Sequence, residues 1–560
     1  MTIVRVEGLT RIPCHGTGGP HKPTPQHIMA EVFIGKDSSG NRHPVLTDAN
    51  GALAFSYAKR KSDVVGRLKV SIHQNVYEAD FEYGKQPLRW DEFTANGGTI
   101  SHMPGFGGCR MNLPTTSGAI TIRQSRPYHR YQPGKAMFMA TALNFGTTQA
   151  NQIQRVGFFD DSNGIFFQQS GAGTAANPSG MSVVYRSDVA ASNTVGNLPA
   201  DVVVDYANWS DPQGIKSSIV WTDIQMLWIE YAWYGAGAVR WGVFLNGEQY
   251  ILHEVGFGNN ATSSTTGGPQ QVPWSRTGNL PVRYEQRNTG TTAASNDMFH
   301  YGVSVVVEGK KDEQRGFTYS YGMALNTPRR SVALNTTRYP VLSIQARTMG
   351  TQEYTQASAA CTAGTTTSLT ASSASWTVDQ WKGRFVAYVV SGTTYTARVT
   401  TNTATVLTLA DVVTGAALAV APTAGQNYTI GQINRGQLLP QTLLLSSDNL
   451  CIVELIASTP TNPVVLSNAN FTPLSSLGSA QSFATRDVSA TALSGGEVVY
   501  AFTAPSGGSG LQSLDLSNFF PLYNTIKGNA PDILTVAIST PTSGTAPNVG
   551  AHLVCQEAMS

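Results

Sequence analysis

The sequence predicts an all-β protein, and three observations carry that expectation. The chain holds 55 glycines in 560 residues and is rich in Thr, Ser, Asn and Ala, a composition of short strands and many turns. Sustained helical periodicity is scarce. The densest hydrophobic stretch, Ile224 to Phe257, reads as three consecutive antiparallel strands. Within it Val239, Trp241, Val243 and Leu245 point one way and Arg240, Gly242 and Phe244 the other, and Asn246-Gly247 supplies the two positive-φ residues of a tight hairpin. The strand before it is apolar on both faces, with Leu227, Ile229 and Trp233 on one and Met226 and Trp228 on the other. Such a strand belongs at the centre of a sandwich. Five of the nine tryptophans fall between Trp209 and Trp241, so the core is expected to be densest there.

Bulk properties narrow the function classes. Only 13% of residues are charged and the net charge is +2, which argues against duplex nucleic acid or an anionic membrane as partner. No apolar run reaches membrane-spanning length. Arg5, Glu7 and Arg11 interrupt any signal-peptide h-region, so the expectation is a protein made in a cytoplasm and not exported by the usual signal. The five cysteines, Cys14, Cys109, Cys361, Cys451 and Cys555, are widely spaced and form no CxxC, which speaks against a disulfide scaffold or a four-cysteine zinc site.

Along the chain, residues 1–30 carry Pro and Gly at intervals and read as an extended arm. Cys14, His15, His21 and His27 lie in it; imidazole and thiolate are good zinc ligands, but the spacing matches no ligand pattern, and no metal is assigned. Residues 31–88 are expected to form a small docking domain and 89–355 the main sandwich. Arg155 to Phe167 reads as a hairpin turning at Asn163-Gly164, where Asp160, Asp161 and Asn163 supply turn chemistry without the ligand spacing of a calcium loop. Residues 356–431, poor in charge and rich in Thr, Ala and Ser, read as a small β module inserted into a loop of the larger domain, with TARVTTNTATVLTL as a hairpin around Asn402. Residues 432–560 hold further C-terminal strands.

A search for chemistry finds no GxxxxGK[ST], GxSxG or HExxH. Jelly-roll glycosidases set paired carboxylates on alternate residues of one strand; no strand here shows such a set, and Glu230 reads as a core partner of Arg240. The expectation is therefore no enzyme, no catalytic residue and no cofactor. Lectin sites stack an aromatic on a sugar face, and Trp376, Trp381 and Trp274 are the candidate glycan contacts, each weighed against plain local packing.

Five segments then occur in one order: RQSRPYHRYQPGKAMFMATALNFG from Arg123, RVGFFDDSNGIFF, the WIEYAWYGAGAVRWGVFLNGEQYILHE block, NLPVRYE from Asn279 and VVVEG from Val305. That order resembles tailed-bacteriophage virion structural proteins of tail, fibre or decoration type, and the sandwich is similar in style to concanavalin-like jelly rolls. The resemblance implies a structural component of a phage particle, located in the virion. Its partners would be other copies of itself, a homotrimer by analogy, and neighbouring virion proteins met through the N-terminal arm. Host-surface glycan is the further partner. The alternatives are a carbohydrate-binding receptor-recognition protein or a polysaccharide depolymerase.

Overall fold

The computed structural model describes residues 34–36, 42–44, 62–64, 67, 69, 72–174, 177, 179–189, 199–259, 272–309, 316–323, 328–356, 361–473, 482–505 and 512–558. The chain divides into two units, Met1–Ser62 and Asp63–Ser560. In the first, Ile34–Lys36 pairs antiparallel with Arg42–Pro44; Cys14, His15, His21 and His27 lie outside the described residues.

The second unit is built from antiparallel sheets, and no α-helix occurs among its described residues. Its first part is a concanavalin-like jelly-roll sandwich. One sheet runs in the order Ala200–Asp205, Met181–Ser187, Gly164–Ser170, Gln152–Phe159, Val282–Asn288, Ile120–Ser125, Trp90–Ala95. The facing sheet runs Glu248–Gly256, Ala238–Leu245, Gln225–Ala232, Met137–Asn144, Asn296–Glu308, Gly108–Leu113, Thr99–Met103, and His73–Ala79 pairs with Asn296–Glu308 as well. The core between them takes every second residue: Val239, Trp241 and Val243 from one strand, Leu227, Ile229 and Tyr231 from the next, and Val156, Phe158, Val282 and Tyr284 from the opposite sheet.

Local chemistry explains the turns. Asn246 and Gly247 have φ of 52° and 81°, the two left-handed residues of the expected two-residue hairpin, and Leu245 pairs with Glu248 across it. Asn163-Gly164 differs from expectation. Gly164 is already the first strand residue, and the loop is the four residues from Asp160 to Asn163. The Asp160 carboxylate accepts the N–H groups of Ser162 and Asn163 at 2.7 and 2.8 Å, which closes the loop without a two-residue turn. The strand Gln225–Ala232 is covered on its second face at Trp228, Glu230 and Ala232, with Trp228 stacked on Phe138 at a ring-centroid distance of 5.7 Å, and only Met226 is exposed there.

Two boundaries fall elsewhere than the composition suggests. The sandwich begins with His73–Ala79 and its last strand ends at Glu308, since Phe317–Gly322, Arg330–Ser331 and Tyr339–Ala346 pair with C-terminal strands instead. Those segments make a second sandwich. One of its sheets orders Phe317–Gly322, Asn548–Ala558, Gln437–Ser447, Gln512–Asp515; the other orders Ala484–Asp487, Tyr339–Ala346, Ile533–Ser539, Cys451–Ala457, Glu497–Ala504. The inserted module therefore interrupts this second sandwich. It is a seven-stranded sheet bounded by Met349–Gln356 and Tyr428–Ile433, which pair with each other, and the Thr393–Asn402/Val406–Ala410 hairpin lies inside it.

Gly242 shows how tightly the first sandwich is fitted. A Cβ there would fall into the Trp228 ring and the Tyr250 carbonyl oxygen. Gly242→Ala is expected to destabilise the protein by about 1–3 kcal/mol through overpacking, read as a lower melting temperature with unchanged far-ultraviolet circular dichroism.

Candidate functional site

The three tryptophans expected to meet glycan are buried. Trp376 and Trp381 belong to the module core with Leu369, Val399 and Leu407, and Trp376 meets Tyr428 edge-on at 6.3 Å. Trp274 stacks on Phe257 at 4.9 Å. None presents a ring face as a stacking platform, because Trp274 is buried in the jelly-roll core and Trp376 and Trp381 in the module core. Glu230 pairs with Lys69 at 2.8 Å and with Arg240 at 3.6 Å, as the cross-strand register of Glu230 and Arg240 requires.

The outer face of the seven-stranded jelly-roll sheet is where alternate carboxylates would line a sugar groove. On Val282–Asn288 this face carries Arg283, Glu285 and Arg287, so one carboxylate stands between two guanidinium groups. Arg283 reaches Glu285 at 2.7 Å and Asp161 at 2.9 Å; Arg155 and Arg287 reach Glu285 at 3.0 and 2.7 Å. Burial pushes the Glu285 carboxyl up, but Arg287, Arg283, Arg155 and Arg186 together outweigh it and hold the group well below the usual carboxylate range. An acid held ionised in this way cannot deliver a proton to a leaving group. The module then closes the face. Arg398 donates to the Asp161 carbonyl oxygen at 2.7 Å, and Phe385, Val412 and Val413 pack on Ile120 and Ile122. This face is an interior joint.

The open site lies at the junction of the two sandwiches. A cavity of about 660 Å³ is bounded by the turn at residues 86–89, the segment 127–130 that leaves Ile120–Ser125, and residues 520–523 with Gln437 from the second sandwich. Its volume falls in the range of small-ligand pockets. Three of its tyrosines are fixed by a cation over one ring face: Arg89 over Tyr77 at 4.6 Å, Arg435 over Tyr128 at 5.1 Å and Arg126 over Tyr523 at 5.5 Å. Burial pushes all three phenols up, so they stay neutral. Behind Tyr523, Arg126 bridges Asp532 at 2.6 Å and Asp91 at 3.4 Å, tying the sandwiches together; burial pushes Asp91 up to about 6 against the pull of Arg126.

Gln86 is the unusual residue of the wall. Its φ is 54°, a left-handed conformation that non-glycine residues seldom adopt and that clusters at ligand sites. Its carbonyl oxygen accepts the N–H groups of Arg89 and Trp90 at 2.9 and 3.0 Å, which fixes the turn. Its side-chain amide donates to the Asp80 carbonyl, while the buried Oε1 has no hydrogen-bond partner among the described residues. A buried acceptor without a donor costs free energy until something supplies one. Sequence reasoning singled out none of these residues. The only signal was the crowding of Pro127, Tyr128, His129 and Arg130 in one run, because the cavity is assembled from three segments far apart in the chain.

No protein-family model matches the chain, and no curated protein matches it. Among solved structures, it is similar over 41% of its length to the whole of a glycosyl hydrolases (GH) family protein 16 from Mycobacterium smegmatis str. MC2 155, at 10% identity and a TM-score of 0.27. A beta-1,3-glucanase from Mycobacterium marinum matches 41% of this chain and 98% of its own, at 10% identity and a TM-score of 0.25. A legume lectin-like domain from Entamoeba histolytica matches 40% and 95%, at 9% identity and a TM-score of 0.24. The expectation of no enzyme is corrected by these matches, since structures described as hydrolases stand among those the chain is similar to. At such identities and scores the likeness assigns no activity to this chain.

The buried joint has a pH signature. Because the folded Glu285 carboxyl titrates well below its ordinary value of 4.5, its stabilisation is complete above that pH and is lost as pH falls toward the folded value. Glu285→Gln is expected to cost about 3–5 kcal/mol at pH 7, leaving buried arginines short of a counter-charge, and to flatten the acid limb of a denaturation-versus-pH curve.

Proposed function

We propose that the protein binds carbohydrate in the junction cavity, as a receptor-recognition component of a bacteriophage particle. The observation that carries the binding reading is the cavity itself, whose wall is fixed by the left-handed Gln86 turn and by Tyr77, Tyr128 and Tyr523. A saccharide suits the accessible part of the lining, where Pro87, Leu88 and Phe520 offer apolar surface to its C–H faces and Gln437 an amide to its hydroxyls. The particle reading rests on the sequence resemblance. In it the N-terminal arm meets neighbouring virion proteins, and several copies, three by analogy, raise avidity for a repetitive host-surface glycan.

The test is direct. The purified full chain is titrated against a panel of bacterial surface polysaccharides, and the same mixtures are read for new reducing ends to learn whether a bound chain is cut. Saturable binding that Gln86→Ala weakens about tenfold, while Trp376→Ala lowers only thermal stability, is the expected pattern. Binding equally strong in Gln86→Ala would move the site elsewhere. Antibody labelling of particles tests the virion assignment, and its failure there would leave the cavity result untouched.

A further inference from the structure

The charges around the cavity point to its ligand class. Several buried guanidinium groups pair with carboxylates: Arg126 with Asp532, Arg155 with Glu285, Arg186 with Asp201, Arg283 with Asp161. Arg435, over Tyr128, donates to the carbonyl oxygens of Thr525 and Ile526 at 2.8 Å each. Arg89 is exposed and Arg130 half-buried, so both guanidinium groups are open to a ligand. Both line the cavity, and neither forms an ion pair with a carboxylate among the described residues. No Asp or Glu lines the cavity at all. Arg89 is held against the Tyr77 ring, and its backbone carbonyl accepts from Arg126 N–H at 2.9 Å and from Tyr77 O–H at 3.3 Å, so the start of its side chain is fixed at the wall.

We infer that the cavity takes an acidic saccharide, whose anionic group is held by Arg89 and Arg130 while its hydroxyls meet Gln437 in the lining. This rests on the carbohydrate-binding reading above and adds the charge of the ligand to it. A guanidinium presents a planar fork that matches a carboxylate or phosphate with two parallel hydrogen bonds, and such charge-assisted bonds are about twice as strong as neutral ones. A hexuronate and a sugar phosphate share this chemistry, and the test separates them.

The full chain is titrated calorimetrically with oligogalacturonate, oligoglucuronate and a glycosyl-phosphate oligomer, each beside a neutral counterpart, carboxyl-reduced or dephosphorylated. At least one acidic oligomer is expected to bind ten times or more tighter than its neutral twin, more weakly as salt is raised. Arg89→Ala and Arg130→Ala should each lower that affinity about tenfold, and Arg89→Lys, which keeps the charge and loses the fork, should restore part of it. Equal binding of acidic and neutral forms would overturn the inference and leave the carbohydrate reading standing. Acid-selective binding that survives both arginine variants would overturn it too, by placing the acid elsewhere. No binding of any oligomer, acidic or neutral, would count against both readings.

Discussion

The second unit is held together by a buried cluster of ions in which Glu285 is the negative centre. Four arginines lower its titration, and Arg283 extends the cluster to Asp161, whose backbone oxygen takes the Arg398 guanidinium of the module. In a low-dielectric interior such a cluster is stable only if it is complete, because each unpaired charge costs more than the pair returns. That requirement specifies how the module sits. The apolar contacts around Ile120, Ile122, Phe385 and Val413 would tolerate a shifted orientation, whereas the ions would not. The same cluster decides what the jelly-roll face does: a surface filled with arginine and covered by another sheet is a joint.

Much of the architecture was legible in the chain, and the reasons are local. Strand alternation at Val239, Trp241 and Val243 and the Asn246-Gly247 turn depend on neighbours in sequence, and each appears as read. The compositional break near residue 356 located the inserted module because a low-charge, Thr-rich segment differs from its surroundings. What was not legible depends on partners far away. The strands at 317–346 look like a continuation of the jelly roll, and only pairing with residues 484–558 assigns them to a second sandwich. Trp376 and Trp381 carry the same letters whether they line a groove or a core, and burial, a tertiary property, decided for the core. The cavity was hidden for the same reason: Gln86, Arg89, Arg130 and Tyr523 meet only after both sandwiches have closed.

The junction cavity and the buried joint divide the charged residues into two economies. In the joint Arg155 and Arg283 find carboxylates and Arg398 a carbonyl within the chain. In the cavity Arg126 and Arg435 lie behind the Tyr523 and Tyr128 rings and Arg89 lies over Tyr77, so the wall is braced before any ligand arrives. Preorganisation of that kind reduces the ordering cost of binding, which matters most for weak polar ligands.

The last strand, Asn548–Ala558, lies between Phe317–Gly322 and Gln437–Ser447, and Tyr321 donates its hydroxyl hydrogen to Glu557, 236 residues further on. This arrangement sets an order of events during synthesis. The jelly-roll strands, complete by Glu308, can pair while the ribosome is still at work, but Phe317–Gly322 must wait until Asn548–Ala558 has been made. At ordinary rates of synthesis that interval is roughly 10 to 50 s. For that time a strand bearing the exposed ring of Phe317 and its neighbour Tyr319 has no partner, and the nascent chain depends on chaperones, or on the speed of translation itself, to keep it from pairing with another copy.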